Sequence, residues 1–350
     1  MSPLTQIYLL NRPIDEDPEA IIQAHLAFLR AGARIISTST YQCAFATFED
    51  AGYSHSDAVL LMHKSVKLAA EARIRFVDET NGIKIEDIKI ALSLGPFGAT
   101  LQPAQEFDGF YPPPYGPQSY SPLGPNNNAF TDAEKNIRLR VFSNDIETWA
   151  HVDCIAFETM PLVREITAVR GAMTILQREL APRGERFPWK PWWISAVWPE
   201  GRYPHGKVPG GERMSVKDVV AFIIGKGSGD VTHLAVDRTI APDGLGINCT
   251  SMEHLADILK ETDSAVAKIK NGKTKPWLAV YPNGGEKYDS ISRTWIQARD
   301  PQAQRDDWAK GLASLIKESR GRGVWDGFIV GGCCKTGPEE IKSLSQYLAA

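Results

Sequence analysis

Five cysteines occur in the 350 residues: Cys43, Cys154, Cys249, Cys333 and Cys334. An odd count in a chain of this length is a poor disulfide framework. Buried, reduced thiols are a sufficient account of Cys43 and Cys154. Cys333 and Cys334 ask for more, because they are adjacent and follow two glycines, Gly331 and Gly332. Neighbouring residues on a regular strand point to opposite faces. For both sulfurs to face one ion the backbone must leave strand geometry, which glycines make easy. Together with Cys249 they form a set of three thiolates, a good ligand set for zinc that leaves one coordination position open. Buried or redox-active thiols, or a vicinal Cys333–Cys334 disulfide, are the alternatives. Three thiolates leave zinc with a net negative formal charge, which suits it poorly to ionising water. It suits a substrate thiol instead, since a free thiol of pKa about 8.5 is only a few per cent ionised at neutral pH. The implied chemistry is alkylation of a zinc-bound substrate thiolate, with no protein general base.

Such a site needs elements that bring residue 249 and residues 333–334 to one place. Strand patterns fall at Arg34–Thr40, Lys89–Leu94, Asp153–Glu158, Trp192–Val197, Gly244–Asn248, Trp277–Tyr281 and Asp326–Val330. Helical patterns fall between them, beginning with Asp17 as N-cap and Pro18 in the first turn. Others cover Ser54–Ala72, Thr131–Ala150, Val163–Leu180, Val216–Ile224, Met252–Ile269 and Gln302–Ser319, and a last one begins near Gly337-Pro338. Strict alternation predicts parallel strands joined by crossover helices. Polar and unusual residues collect at the strand ends: Ser37–Tyr41, Gly95-Pro96, Glu158-Thr159, Asn248-Cys249, Pro282-Asn283 and Gly331–Cys334. Chemistry spread over many strand ends predicts a TIM (β/α)8 barrel rather than an open doubly wound sheet. Residues 1–350 are expected to form a single barrel domain. Within it, 104–130 is rich in Pro, Tyr, Gly and Asn and predicts a long loop at the barrel mouth, either a plain surface insertion or a substrate lid.

Composition bounds the partners. Apolar residues make up 43% and charged residues 23%, which excludes a disordered or fibrous chain. With 39 basic against 42 acidic residues no surplus of positive charge serves a nucleic-acid backbone. No apolar run is long enough for a membrane span, and the first residues lack a signal-peptide pattern, so a cytoplasmic location is expected.

Seven segments then carry a resemblance: ISTSTYQCAF (Ile36–Phe45), LSLGPFGA (Leu92–Ala99), CIAFETMP (Cys154–Pro161), WWISAVW (Trp192–Trp198), LGINCTS (Leu245–Ser251), LAVYPNGGEKYD (Leu278–Asp289) and IVGGCCKTGPEEI (Ile329–Ile341). In this order, covering nearly the whole chain, they resemble the zinc-dependent homocysteine S-methyltransferases. That group includes S-methylmethionine-dependent enzymes and, more distantly, betaine–homocysteine methyltransferase. The resemblance implies Zn2+ held by Cys249, Cys333 and Cys334, with homocysteine and a sulfonium donor, S-methylmethionine or S-adenosylmethionine, as substrates. It implies that Glu158 holds the homocysteine amino group, as a carboxylate beside a thiol site can; a barrel-mouth salt bridge is the other account. Thr159 and Asn248 look like hydrogen-bonding supports, or loop-backbone partners. Tyr41 is implied to face the donor, where an aromatic ring favours a sulfonium cation; ordinary packing is its alternative.

One departure stands out. The family opens with a strand ending in Asp-Gly-Gly, whose aspartate is implied to help bind the homocysteine amine. No such motif precedes Pro18 here, and Thr5–Leu10 (TQIYLL) is the only segment there with strand composition. The expected barrel therefore has its first strand missing or replaced. Two alternative functions follow: the betaine-dependent version of the reaction, and a zinc-binding barrel with impaired catalysis. Other motifs are set aside. Asn248-Cys249-Thr250 fits a glycosylation acceptor but lies at the thiol site. Gly225–Gly229 lacks the spacing of a phosphate loop. His25 and His63 sit on helical patterns, and Trp189, Trp192 and Trp193 read as barrel packing.

Overall fold

The computed structural model describes residues 13–101, 104–109, 111, 132–207, 211–225, 239–269, 275–284, 287–289, 294–296 and 300–349. Its elements are α1 (Pro18–Arg30), β1 (Ile35–Ser37), α2 (Phe45–Asp50), α3 (His55–Glu79), β2 (Lys89–Leu94), α4 (Asp132–Ser143), α5 (Ile146–His151), β3 (Cys154–Met160), α6 (Val163–Leu180), β4 (Trp192–Val197), α7 (Val216–Ile223), β5 (Gly244–Asn248), α8 (Met252–Lys268), β6 (Trp277–Tyr281), β7 (Lys287–Asp289), β8 (Thr294–Ile296), α9 (Pro301–Gly321), β9 (Gly327–Val330) and α10 (Pro338–Ala349). Seven strands form one parallel sheet in the order β1-β2-β3-β4-β5-β6-β9, and β7 and β8 pair antiparallel outside it. Each sheet strand is next to its sequence neighbour, with helices as crossovers, which is the topology of a TIM-like barrel.

The sheet has two faces of different character. Leu92, Ile155, Phe157, Trp192, Ile194, Leu245, Ile247, Leu278 and Val280 pack outward in the large core shared with the helices. The alternate residues Ala91, Cys154, Ala156, Trp193 and Ala279 form a separate inner cluster with Ile35, Tyr281 and Ile329. This parity matters, because continuing it along each strand puts Ser93, Glu158, Ser195, Asn248 and Tyr281 on the inner face towards the strand ends.

Local chemistry explains the helix boundaries. Asp17 caps α1 by accepting from the Ala20 N–H at 3.1 Å. Ser54 and Asp57 form a capping box on α3, and Ser215 and Asp218 one on α7. The helix expected over Thr131–Ala150 is two helices: the chain breaks after Ser143, and Asp145 restarts it by accepting from Thr148 N–H at 2.6 Å. The short α2 and the β7–β8 pair were not foreseen.

Among the described residues β1 pairs with β2 alone and β9 with β6 alone. Among the described residues the sheet is thus a curled seven-strand array; whether Thr5–Leu10 supplies a further strand falls outside them. Every residue of β9 is half-buried, whereas β4 and β5 are buried throughout. Thr5–Leu10, most of the loop 104–130 and most of Gly225–Gly229 lie outside the described residues.

Candidate active site

The three cysteines singled out by sequence come together. The sulfurs of Cys249, Cys333 and Cys334 all lie within 4.8 Å of one another. In this structure Cys249 and Cys333 are joined as a disulfide and Cys334 is free. This pairing was not foreseen, and it is not the vicinal one considered for Cys333–Cys334. A tetrahedral zinc with Zn–S bonds of about 2.3 Å needs its ligand sulfurs roughly 4 Å apart. The donor set and its spacing therefore fit a metal ion once the disulfide is reduced.

The backbone holds the cluster from both sides. Cys249 N–H donates to Tyr281 O at 3.2 Å, Cys333 N–H to Pro282 O at 2.7 Å, and Gly284 N–H to Cys334 O at 2.7 Å. The β6 end is thus the bridge between the Cys249 turn and the Cys333–Cys334 turn. Trp308 Nε1 of α9 steadies it by donating to Asn283 O at 2.8 Å. Gly332 does a different job from the one expected: a Cβ there would lie within 2.6 Å of the Thr336 side chain, so clearance, not a left-handed φ, demands glycine. The left-handed conformation falls on Cys249 (φ 48°) and Lys335 (φ 62°). Thr159, across the mouth, shares it at φ 59°. Non-glycine residues are strained there, and such residues gather at functional sites.

Asn248 locks Thr159 in that state. Thr159 N–H donates to Asn248 Oδ1 at 2.9 Å, and Asn248 Nδ2 donates to Thr159 Oγ1 at 2.7 Å. The two sequence-selected supports are partners of each other. Tyr41 hydrogen-bonds the Thr159 side chain and lies within electrostatic reach of Glu106, Glu158 and Cys334. Its loop is fixed by Arg138 of α4, which donates to the carbonyls of Thr40, Tyr41 and Gly95 at 3.1–3.2 Å. Gly95 has no room for a Cβ, which would meet the Tyr41 ring at 2.8 Å.

Glu158 accepts from Ser93 Oγ at 2.8 Å and hydrogen-bonds Tyr281. Tyr281 OH in turn meets Ser195 Oγ at 2.6 Å and accepts from Trp193 Nε1 at 3.2 Å. No ion pair holds Glu158 among the described residues. Burial pushes its carboxyl up to about 7, against the lowering effect of Ser93 and Tyr281. A second acid, Glu106, was missed by sequence reasoning. It is buried, its Oε2 has no hydrogen-bond partner among the described residues, and burial pushes it up to about 7 as well. Cys334 is raised by its own burial and then by Glu106.

The other cysteines are elsewhere. Cys43 and Cys154 are buried, and burial pushes both thiols up to about 12. His25 is buried in α1 and lowered to about 4 by desolvation. His63 Nε2 is 2.7 Å from Val141 O. Trp192 packs in the outer core and Trp193 in the inner cluster, as packing residues do. No helix among the described residues is long and apolar enough to cross a membrane.

Comparison with known proteins adds the following. A family described as homocysteine S-methyltransferase matches residues 3–348. The chain is 30% identical over 341 residues to homocysteine S-methyltransferase YbgG of Bacillus subtilis, covering 95% of this chain and 84% of that protein. It is 28% identical over 330 residues to the homocysteine S-methyltransferase of Escherichia coli, covering 94% and 84%. Among solved structures, the metallated form of the Escherichia coli homocysteine methyltransferase MmuM superposes with a TM-score of 0.63 at 23% identity, covering 96% of this chain and 87% of that one. This last likeness bears on fold alone.

Proposed function

The chain belongs to the homocysteine S-methyltransferase family, and from that premise we propose that it transfers a methyl group from a sulfonium donor, S-methylmethionine or S-adenosylmethionine, to the thiolate of homocysteine, giving methionine. The observation that carries this reading is the meeting of three cysteine sulfurs at the strand ends, with Tyr41 within electrostatic reach of both Glu158 and Cys334. Cys249, Cys333 and Cys334 would hold zinc after reduction of the Cys249–Cys333 bond. When bound, zinc supplies a Lewis acid that takes the place of the substrate's thiol proton.

The chain's own residues do the rest. Glu158 receives the homocysteine ammonium, and that cation draws its carboxyl back towards the ordinary acidic range. Tyr281, Ser195 and Ser93 fix the carboxylate that does so. Asn248 and Thr159 set the Tyr41 hydroxyl, and the Tyr41 ring offers its face to the positively charged donor. The homocysteine sulfur attacks the methyl carbon in line. The new S–CH3 bond forms as the donor's CH3–S bond breaks, and the electron pair of the broken bond stays on the donor sulfur as a neutral thioether. The thiol proton has already gone to solvent, so no side chain acts as general base. Positioning is the main contribution asked of the protein.

The test is zinc content together with methionine formation from reduced protein, homocysteine and each donor in turn, betaine included. The expected result is about one zinc per chain and turnover with a sulfonium donor. Zinc uptake without methyl transfer to homocysteine from any donor would overturn the reading in favour of a non-catalytic barrel. Glu158→Gln should raise the KM for homocysteine by roughly ten- to a hundredfold, because a buried ammonium loses its counter-charge. An unchanged KM would remove Glu158 from the substrate site.

A further inference from the structure

Besides the ammonium of homocysteine, the donor brings a sulfonium and an ammonium of its own to this site, yet Glu158 is one acid. Glu106 is a second. It sits in the segment 104–109 that packs on the 3-10 turn Phe97–Thr100 after β2: Gln105 N–H donates to Gly98 O at 2.9 Å. Its side chain is only 9% exposed, and Oε2 finds no partner among the described residues. Leaving a carboxylate oxygen buried and unpaired is costly and uncommon in a folded chain, and such a group calls for a partner that the protein alone does not supply. The same turn is tied to the Tyr41 loop, since Gln42 Nε2 donates to Ala99 O at 3.1 Å and Gly95 packs on the Tyr41 ring, and Glu106 acts electrostatically on Tyr41 and on Cys334.

We infer that Glu106 and the Tyr41 ring form the subsite for the cationic methyl donor, with Glu106 the counter-charge and Tyr41 the aromatic wall. This rests on the methyl-transfer reading above. Placement separates the two acids. Glu158 is engaged by Ser93 and Tyr281 on the β2, β3 and β6 side of the barrel. Glu106 belongs instead to the segment packed on the 3-10 turn after β2, and shares none of those hydrogen-bond partners. Tyr41 is under the influence of both acids and of Cys334. A nucleophilic sulfur held at the cysteines is thereby flanked by one acid for its own ammonium and another for the incoming cation. The methyl carbon then approaches from the Tyr41 side.

The experiment uses the zinc-loaded full chain and direct calorimetric titration with S-methylmethionine and, separately, S-adenosylmethionine and homocysteine. Glu106→Gln should weaken binding of the sulfonium by at least about tenfold and leave homocysteine binding and zinc content within about twofold. Tyr41→Leu should weaken the same ligand by a smaller factor, and Glu106→Asp should restore part of the loss. Thermal melts of each variant identify any that fail to fold, and Tyr41→Leu then stands as the independent variant. Unchanged sulfonium affinity in both variants overturns the inference. So does a loss that falls on homocysteine instead, which would make Glu106 a second ammonium ligand, and so does a wild-type protein that binds neither sulfonium. Turnover separates the two claims. Glu106-dependent sulfonium binding without methionine formation sinks the function and keeps the subsite, whereas methionine formation unaffected by Glu106→Gln sinks only the subsite.

Discussion

The two ends of the same sheet treat polar groups in opposite ways. At the N-terminal ends of the strands Asp153 accepts from Arg73 Nη1 at 2.8 Å and from Ile90 N–H at 2.8 Å, and Asp243 accepts from Trp192 N–H at 3.0 Å. These acids tie neighbouring strands and helices together around a cavity of about 410 Å³ lined largely by Ile35, Trp277, Phe328 and Ile329. At the C-terminal ends a half-buried acid, Glu158, and a buried one, Glu106, have no cation among the described residues, and four non-glycine residues, Thr159, Glu200, Cys249 and Lys335, are left-handed. One end uses polarity to close the fold; on the function proposed above, the other uses it for a ligand. This division is the general habit of parallel barrels, in which strand C-termini carry chemistry and strand N-termini carry stability.

The cysteines give the sharpest way to break this contrast. Cys249→Ser removes one of three sulfurs at the mouth and should abolish both zinc retention and turnover, the largest effect expected of any single change here. Cys154→Ser lies on the inner face at the other end of β3 and should leave zinc and rate intact while lowering stability by about 1–2 kcal/mol through a buried hydroxyl. Metal analysis and methionine formation on the reduced proteins decide it. Full zinc and full rate in Cys249→Ser would show that the cluster is not the site.

Acids at the two ends should respond to neutralisation with opposite signs. Asp153→Asn breaks a partly buried pair with Arg73 and should cost about 1–3 kcal/mol of stability with little effect on turnover. Glu106→Gln should stabilise the metal-free, ligand-free chain above neutral pH. The sign follows from linkage: burial raises the folded-state carboxyl from 4.5 to about 7, so in that interval the folded chain holds a proton that the unfolded chain has released. Stability conferred by the protonated acid is present below the unfolded value and is lost as pH rises through about 7. A shift of this size corresponds to at most about 3 kcal/mol at pH 8 and much less at pH 5. Denaturant melts of wild type and variant at the two pH values measure it. A variant that gains nothing at pH 8 would mean that Glu106 is not held in reserve at all.

Much of this was legible in the residues. Strand and helix order could be read because buried parallel strands are short apolar runs and the helices between them carry caps and periodicity. The meeting of the three cysteines was legible because a vicinal pair after two glycines has few structural uses. Ser93, Ser195 and Tyr281 were missed, although the means existed: each lies two residues beyond an inner-face residue of its strand, Ala91, Trp193 and Ala279. Glu106 had no such signal. It belongs to an aperiodic segment, and only the fold shows that its carboxylate turns inward without a partner. The break after Ser143 was hidden because Asp145 can sit inside a helical pattern as readily as cap a new one. The Cys249–Cys333 pairing was illegible for a different reason, since spacing in sequence says nothing about which two of three converging sulfurs join.

The smallest effect concerns strain. Lys335 adopts φ 62° directly after the cysteine pair and is exposed, unlike Thr159 and Cys249, which share its conformation but whose side chains the site uses. Glycine at 335 removes a penalty of about 1–2 kcal/mol for a left-handed residue. The gain is partly offset by the greater freedom of glycine in the unfolded chain, about 0.5–1 kcal/mol. Lys335→Gly should therefore raise stability by less than about 1 kcal/mol in a denaturant melt. The lysine charge also favours ionisation of the Cys334 thiol, so zinc affinity should fall slightly, by less than about threefold. At Thr159 the same relief would come at the expense of the Asn248 and Tyr41 contacts, and Thr159→Gly should lower donor affinity even if it melts higher. A Lys335→Gly protein that lost its zinc would place the strain among the determinants of metal binding, and the mouth would then differ from the opposite end in its backbone as much as in its charges.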